Sequence, residues 1–260
     1  MGEVTGRVSV ITGAGNGIGK ATALLFGADG AKVVVADMNE AAATSVAGQI
    51  VAAGGTAIAV SHDVRALASS EAMVEQVVRK FGTIDVLVNN AGVGPHPGPF
   101  QDITEAEYDR VMDINAKGVF LVTKAVGPTM MAQQSGRIIN ISSVVGKKAS
   151  PFIVPYAMSK WAVIGLTQCI ARELAPTGIT VNAVCPGVVR TPLHEGVVSD
   201  MATMRQSDED AVWGMFLDRI PLGHLQEGED MAEMIMFLSS DRAKNITGQA
   251  FNVNGGMELN

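Results

Sequence analysis

Tyr156 and Lys160 stand four residues apart in Tyr156-Ala157-Met158-Ser159-Lys160, a spacing that puts both side chains on one face of a helix. A free phenol, with a pKa near 10, is a poor base at neutral pH. An ammonium within ~4 Å at an effective dielectric near 20 favours the phenolate by roughly 4 kcal/mol, or ~3 pKa units. The pair therefore predicts a phenol tuned close to neutrality, where proton transfer is most efficient. Standing alone, a Tyr and a Lys at this spacing are also a common solvated helix pair. Ser143, thirteen residues before Tyr156, adds a hydroxyl that can hydrogen-bond a reacting oxygen. Asn115, in Met112-Asp113-Ile114-Asn115-Ala116-Lys117-Gly118, is a polar insertion in a stretch otherwise built for burial. Its other reading is an exposed helical Asn.

A second set of residues reads as a dinucleotide site. The first apolar run ends in Thr12-Gly13-Ala14-Gly15-Asn16-Gly17-Ile18-Gly19, ahead of a helical stretch. A phosphate needs close backbone approach and a free helix N-terminus, and glycines supply both. The spacing departs from the common G-x-G-x-x-G, and a glycine-rich loop by itself is also an ordinary tight turn. Its place between a first strand and a helix favours phosphate, with Gly13, Asn16, Gly17, Ile18 and Gly19 as contacts. Asp37 closes the second run, where a carboxylate accepts both ribose hydroxyls of an adenosine. Its other reading is a cap on the helix that follows. A carboxylate there repels a 2′-phosphate of charge about −1.5 to −2, by several kcal/mol at ~4 Å and an effective dielectric near 20. Met38 offers no compensating cation, so NAD is expected as cofactor rather than NADP.

These residues need a scaffold, and the hydrophobic pattern supplies one. Short β-branched runs alternate with stretches of helical period, as βαβ units do. Strands are expected at Val8–Thr12, Lys32–Asp37, Ala57–Asp63, Ile84–Asn89, Arg137–Ser142, Thr180–Val184 and Gln249–Val253. Several are apolar nearly throughout, as strands covered on both faces are. Helices are expected near 17–29, 39–53, 68–81, 104–132, 155–175 and 228–239. No linker or repeat divides the chain, so residues 1–260 are expected to form one α/β domain. Arg190–Asp218 is the one long irregular stretch. Ligands in such sheets lie beyond the carboxyl ends of the strands, where this stretch is placed to cover a site. Its Val197, Val198, Met201, Met204, Val212, Trp213, Met215 and Phe216 suggest one or two short amphipathic helices forming a lid (190–218) over an apolar pocket. Ordinary packing of a surface helix is the other reading of Trp213.

In order along the chain, Thr12-Gly13-x-x-x-Gly17-Ile18-Gly19, Asn89-Asn90-Ala91-Gly92, Asn115, Ser143, Tyr156, Lys160 and Pro186-Gly187 resemble the short-chain dehydrogenase/reductase family, in its compact NAD-type subgroup. The resemblance covers essentially the whole chain. It implies a doubly wound Rossmann-type fold whose seven-stranded parallel sheet has the order 3-2-1-4-5-6-7. It implies Asp63, Val64 and Asn90 around the adenosine half of the cofactor, and Pro186, Val189 and Thr191 by the nicotinamide. Tyr156 and Lys160 are implied to touch the cofactor as well as to move the proton. Asn115 is implied to bend its helix and hold a water linking Lys160 to solvent. Helices 104–132 and 155–175 carry more apolar side chains than one sheet-facing stripe requires. Leu121, Val122, Val126, Met130, Met131, Trp161 and Ile164 suggest a second buried face. The family pairs those helices across a two-fold axis, which implies a homotetramer, or failing that a dimer.

Composition narrows the function classes. Hydrophobic residues make up 47% of the chain and charged residues 17%, enough for a large core. A net charge of −7 argues against nucleic acid as a partner. No run of apolar residues is long enough to span a membrane, and the N-terminus lacks signal-peptide order. The chain is expected to be cytoplasmic, with Cys169 and Cys185 as reduced core thiols. His62, His96, His194 and His224 lack metal-ligand spacing, so no metal is expected. Family members reduce or oxidise polyols, diols, steroids and 3-oxoacyl carrier proteins. The carrier-protein enzymes usually place arginines before the fifth strand and at the end of the catalytic helix, where this chain has Gln134 and Thr177. The expected function is therefore NAD-dependent interconversion of a ketone and a small secondary alcohol, such as a polyol or diol. A 3-oxoacyl (acyl-carrier-protein type) reductase is the alternative. A non-catalytic dinucleotide-binding protein is an alternative of another class, which the intact Asn115, Ser143, Tyr156 and Lys160 oppose.

The coenzyme reading is directly measurable. NAD should exceed NADP in kcat/KM by roughly 100-fold, equivalent to ~2.7 kcal/mol. Asp37→Ser combined with Met38→Arg should narrow or reverse that gap by removing a repulsion and adding a phosphate partner. Equal efficiency with both coenzymes in the native chain would contradict the assignment.

Overall fold

The computed structural model describes residues 2–260. Its strands are β1 (Val8–Thr12), β2 (Lys32–Asp37), β3 (Thr56–Ser61), β4 (Val86–Asn89), β5 (Gly136–Ile141), β6 (Ile179–Pro186) and β7 (Ala250–Val253). They form one seven-stranded sheet in the order β3-β2-β1-β4-β5-β6-β7, and every pairing is parallel. This is the fold and strand order implied by the family resemblance. Side chains alternate across the sheet as the pleat demands. In β1, Ile11 joins a core with Phe26, Ile50, Met231 and Leu238 on one face. Val8 and Val10 join Met73, Val126, Met130 and Leu174 on the other. Neither face is left to solvent, which is why β-branched runs could be unbroken by polar residues.

The helices are α1 (Gly17–Ala28), α2 (Glu40–Ala52), α3 (Leu67–Phe81), α4 (Glu105–Met112), α5 (Gly118–Gln133), α6 (Val154–Leu174), α7 (Pro192–Arg205), α8 (Glu209–Leu217) and α9 (Gly228–Ser239). The single helix expected over 104–132 is interrupted. A π-helical segment, Asp113–Lys117, separates α4 from α5, because the buried Asn115 amide turns inward to bond Val93 and not its own helix. The third strand stops at Ser61, two residues earlier than expected, and His62 N–H donates to Asp37 C=O at 3.0 Å as the chain leaves the sheet.

Two other expectations change. Val122, Val126 and Met130 are fully buried against the sheet, so they form the inward stripe of α5 and not a second face. The outward large apolar residues of α5 and α6 are Phe120, Met131, Met158 and Trp161. Cys185 is buried as expected, whereas Cys169 lies exposed on α6; both are free thiols.

The 190–218 stretch is more regular than its sequence. Thr191 caps α7, accepting from His194 N–H, with Pro192 at the first helical position. Asp208 caps α8, its carboxylate accepting from Ala211 N–H at 2.6 Å. Val198, Ala202 and Val212 form a small core of their own with Met201, Trp213 and Phe216. The α7–α8 pair thus packs on itself as a unit apart from the two sheet cores. No helix among the described residues is long and apolar enough to cross a membrane.

Candidate active site

The carboxyl ends of the strands line a cleft of about 260 Å³. Close approach of the β1 loop to the end of β4 creates it. Thr12 Oγ1 accepts from Asn90 N–H and Ala91 N–H, each at 3.1 Å. The Asn90 amide donates to the carbonyls of Thr12 (3.0 Å) and Gly13 (2.9 Å). Gly13 has φ +62°, and a Cβ there would stand 2.7 Å from the Ala91 Cα, so only glycine lets the two segments meet.

Gly13, Asn16, Gly17, Ile18, Asp37, Asp63, Val64, Asn90, Tyr156, Lys160, Pro186, Val189 and Thr191 all line the cleft. Of the residues expected to touch a cofactor, Gly19 does not line it. A Cβ on Gly19 would collide with the Gly13 carbonyl and the Asn90 amide, so this glycine serves the packing of α1 beneath the loop. Asn90 lies on the wall, but both its amide donor bonds go to backbone carbonyls.

The residues present fit a dinucleotide. Asn16, at the N-cap of α1, makes no side-chain capping bond, leaving the first-turn amides available to a phosphate. Asp37 accepts from Gly15 N–H and Asn39 N–H, each at 2.9 Å, and each carboxylate oxygen retains a second lone pair for a ribose hydroxyl. The cap on α2 is Asn39, which accepts from Ala42 N–H, so Asp37 is not the capping residue. Asp63 is held in a forked pair by Arg65 at 2.8–3.2 Å, and that guanidinium keeps its carboxyl below the usual carboxylate range.

Sequence reasoning missed two residues here. His62 lines the cleft, although an isolated histidine gives no spacing signal. Gln226 is buried, its Oε1 accepting from Val188 N–H at 3.0 Å, which fixes the loop carrying Val189 and Thr191. A lone Gln between two loops shows nothing in sequence that could have revealed it.

At the other end of the cleft, Ser143, Tyr156 and Lys160 come together. Helix α6 is fastened to β5 by Ser142 Oγ donating to Lys160 C=O (2.8 Å) and by Asn140 donating to Thr167 Oγ1 (2.9 Å). The Lys160 ammonium is buried, donates to Ile141 C=O at 2.9 Å and sits 5.6 Å from the centre of the Tyr156 ring. Burial lowers Lys160 to about 8. Desolvation pushes Tyr156 up to about 12, with a Ser143 hydrogen bond pulling weakly the other way. The phenol is therefore not near neutrality as expected, because the ammonium's hydrogen bond goes to a backbone carbonyl and desolvation dominates. At neutral pH the arrangement is a protonated phenol beside an ammonium, which suits a proton donor.

Asn115 does not line the cleft. Its amide clamps Val93, accepting from N–H (2.8 Å) and donating to C=O (3.0 Å), and donates to Ser159 Oγ at 3.3 Å. Ser159 in turn donates to Tyr156 C=O at 2.7 Å. Its connection to the site runs through the backbone of α6.

A second cavity, of about 220 Å³, opens beside the first under α7 and α8. Val144, Phe152, Val197, Met201, Val212 and Phe216 are among its walls. His194 is packed against Phe216 and Trp213 at ring separations of 5.0 and 5.5 Å, and burial lowers it to about 4. Gln134 and Thr177 line neither cavity. Both lie just before the amino ends of β5 and β6, opposite the cleft. Among the described residues no group of three His, Cys, Asp or Glu side chains is placed to hold a metal ion.

A family model described as "Enoyl-(Acyl carrier protein) reductase" matches residues 13–258. The chain belongs to the short-chain dehydrogenase/reductase family. It is an NAD(P)-dependent oxidoreductase of hydroxyl and keto groups. It is 42% identical over 261 residues to a 3-oxoacyl-[acyl-carrier-protein] reductase of Synechocystis sp., covering 100% of both chains. Among solved structures it resembles levodione reductase, with a TM-score of 0.93, 32% identity and coverage of 97% of this chain and 98% of that one. It also resembles a 3-ketoacyl-(acyl-carrier-protein) reductase from Brucella melitensis complexed with NADH, with a TM-score of 0.87, 36% identity and coverage of 98% and 99%.

The cleft carries a pH signature. His62 is 3% exposed, its Nε2 lies 3.1 Å from Ser70 Oγ and its Nδ1 has no partner. Burial lowers it from 6.5 to about 4. Between those values the unfolded chain binds the additional proton, so stability is lost as pH falls through 6.5 towards 4. Chemical denaturation at pH 7 and pH 5 should show His62→Gln losing about 2 kcal/mol less than the native chain over that interval. An equal drop in both proteins would contradict a neutral buried His62.

Proposed function

We propose that the chain reduces the keto group of an apolar acyl substrate, a 3-oxoacyl thioester, with NADH. The observation that carries this reading is the junction of the two cavities. Ser143, Tyr156, Gly187, Leu193 and His194 line both, so a carbonyl lodged there has an apolar chamber on one side and the cofactor cleft on the other. The apolar walls do not suit the polyols and diols expected from sequence. The relatives named for 3-oxoacyl reduction weigh towards the acyl substrate. A free ring ketone is the second reading, favoured by the likeness to levodione reductase and by neutral Gln134 and Thr177 in place of arginines.

In this mechanism Ser143 Oγ donates to the carbonyl oxygen and stabilises the charge that develops on it. Tyr156 gives its phenolic proton to that oxygen as the alcohol forms, and the Lys160 ammonium steadies the phenolate left behind. A phenol held at about 12 is protonated over the whole physiological range, so the donor is in its proton-bearing form when the ketone arrives. When bound, the nicotinamide supplies the hydride, a chemistry no side chain provides. Gly13, Asn16, Gly17 and Ile18 would cradle the dinucleotide's phosphates, and Asp37 would take the adenosine ribose. Asp63, Val64 and Asn90 wall the adenosine end, and Pro186, Val189 and Thr191 the nicotinamide end. Asn115 is a positioning residue that sets the backbone of α6. The α7–α8 pair is the lid over the acyl chamber, and excludes water when closed.

Assembly is the second part of the reading. Phe120, Met131 and Trp161 face outward on α5 and α6, an apolar face that suits pairing of copies into a homotetramer. Light scattering at micromolar concentration should give four chains per particle, and a stable monomer would refute this.

For the chemistry, Tyr156→Phe should lower kcat at least ~100-fold while NADH binding, read by fluorescence titration, persists. A panel of 3-oxoacyl thioesters, ring ketones and polyols should rank the thioesters first. Near-native turnover in the Tyr156→Phe enzyme would remove the proton-donor role, and ring ketones in first place would establish the second reading.

A further inference from the structure

The acyl chamber contains no carboxylate among its lining residues, and its charged lining side chains are Arg205 and Arg219. Arg205 closes α7 and Arg219 follows the end of α8, so each helix of the lid delivers one guanidinium to the chamber rim. Both are exposed. Neither takes part in a salt bridge among the described residues. They stay unpaired although the chain carries a net charge of −7 and acids outnumber bases on the same lid. Two of those acids are engaged elsewhere, Asp208 capping α8 and Asp200 pairing with His96 at 2.8 Å, and none of the others forms a salt bridge with either arginine. The contact recorded for the Arg205 guanidinium is Met215 Sδ at 3.6 Å, an apolar shelf and not a counter-ion. A purely apolar substrate gives no reason for two unpaired cations at the rim of its chamber.

We infer that Arg205 and Arg219 form an anion-binding rim that takes the phosphate of a phosphopantetheine thioester while the 3-keto group sits at Tyr156. This rests on the 3-oxoacyl reading and adds to it the group that selects the substrate. Guanidinium forks match phosphate oxygens in a bidentate fashion. The shared chemistry is a phosphate at the end of the pantetheine arm, whether that arm belongs to coenzyme A or to a carrier protein. It differs from carrier docking through arginines before the fifth strand and after the catalytic helix, whose places here are neutral.

The test compares two esters of one acid. Acetoacetyl-coenzyme A carries the phosphates, and acetoacetyl-N-acetylcysteamine keeps the thioester but has no charge. In the native enzyme the kcat/KM ratio of the first over the second should be at least about tenfold, about 1.4 kcal/mol, and should shrink as salt rises. Arg205→Gln with Arg219→Gln should bring the ratio close to one, and Arg205→Lys with Arg219→Lys should keep most of it. Acetoacetyl carrier protein separates the sources: the same arginine dependence identifies the pantetheine phosphate, and dependence with the coenzyme A ester alone identifies the adenosine phosphates. Both esters reduced with a ratio the Gln substitutions do not move would overturn the rim and leave the 3-oxoacyl reading intact. Neither ester reduced while ring ketones are would overturn the 3-oxoacyl reading and the rim with it.

Discussion

The carboxyl end of β1 is sewn to the end of β4 by a small knot of hydrogen bonds centred on Thr12 and Asn90. Thr12 Oγ1 receives two backbone N–H groups, and the Asn90 amide answers with two bonds to the carbonyls of Thr12 and Gly13. The knot satisfies backbone groups that would otherwise be stranded at the end of the sheet. It also determines where α1 begins, because the glycine loop leaves the knot and enters the helix within a few residues. Gly13 and Gly19 are needed where the backbones nearly touch. A larger residue at either place would lift the loop from β4 and shift the helix start that faces the cleft.

The opposite end of the cleft is governed by desolvation. Lys160 is buried with a single carbonyl partner, and Tyr156 is half-buried at the cavity junction, where partial desolvation raises its pKa. Each group is pushed towards its neutral form, so the pair is less polarised than its helical spacing suggests. That arrangement holds a proton on the phenol until a developing alkoxide draws it away. The chemistry of the pair is set by the packing of α6 on β5 as much as by the two side chains.

Much of this was legible in the sequence because it lies on periodic or spaced signals. Strands buried on both faces, the glycine loop and the Tyr–Lys spacing each leave a pattern that local chemistry imposes. Asp37 left two readings open in the sequence, and only the folded chain shows that Asn39, not Asp37, caps the helix that follows. The misreadings share a cause. The stripe of Val122, Val126 and Met130 could face either the sheet or a neighbouring copy, and periodicity does not distinguish the two. Gly19 has the motif's spacing but meets backbone, since an absent side chain looks the same whether it makes room for phosphate or for a carbonyl. Gln226 and His62 act through contacts distant in sequence, and the electrostatics of Tyr156 depend on burial that only the folded chain reveals.

The π-helical segment Asp113–Lys117 has a consequence for how this chain tolerates change in length. A π turn accommodates one residue more than an α turn over the same advance, so the segment behaves as a one-residue insertion absorbed within a helix. Removing a residue there would let α4 and α5 merge into a continuous α-helix while preserving the direction each side chain takes on α5. Removing a residue from α5 ahead of Val126 would rotate everything downstream by about 100°, turning Val126 and Met130 out of the core and Met131 into it. The bulge at Asn115 is thus a length buffer. In a lineage of such chains it is the place where a single-codon deletion would leave the outer surface of α5 in register, at the cost of the clamp on Val93.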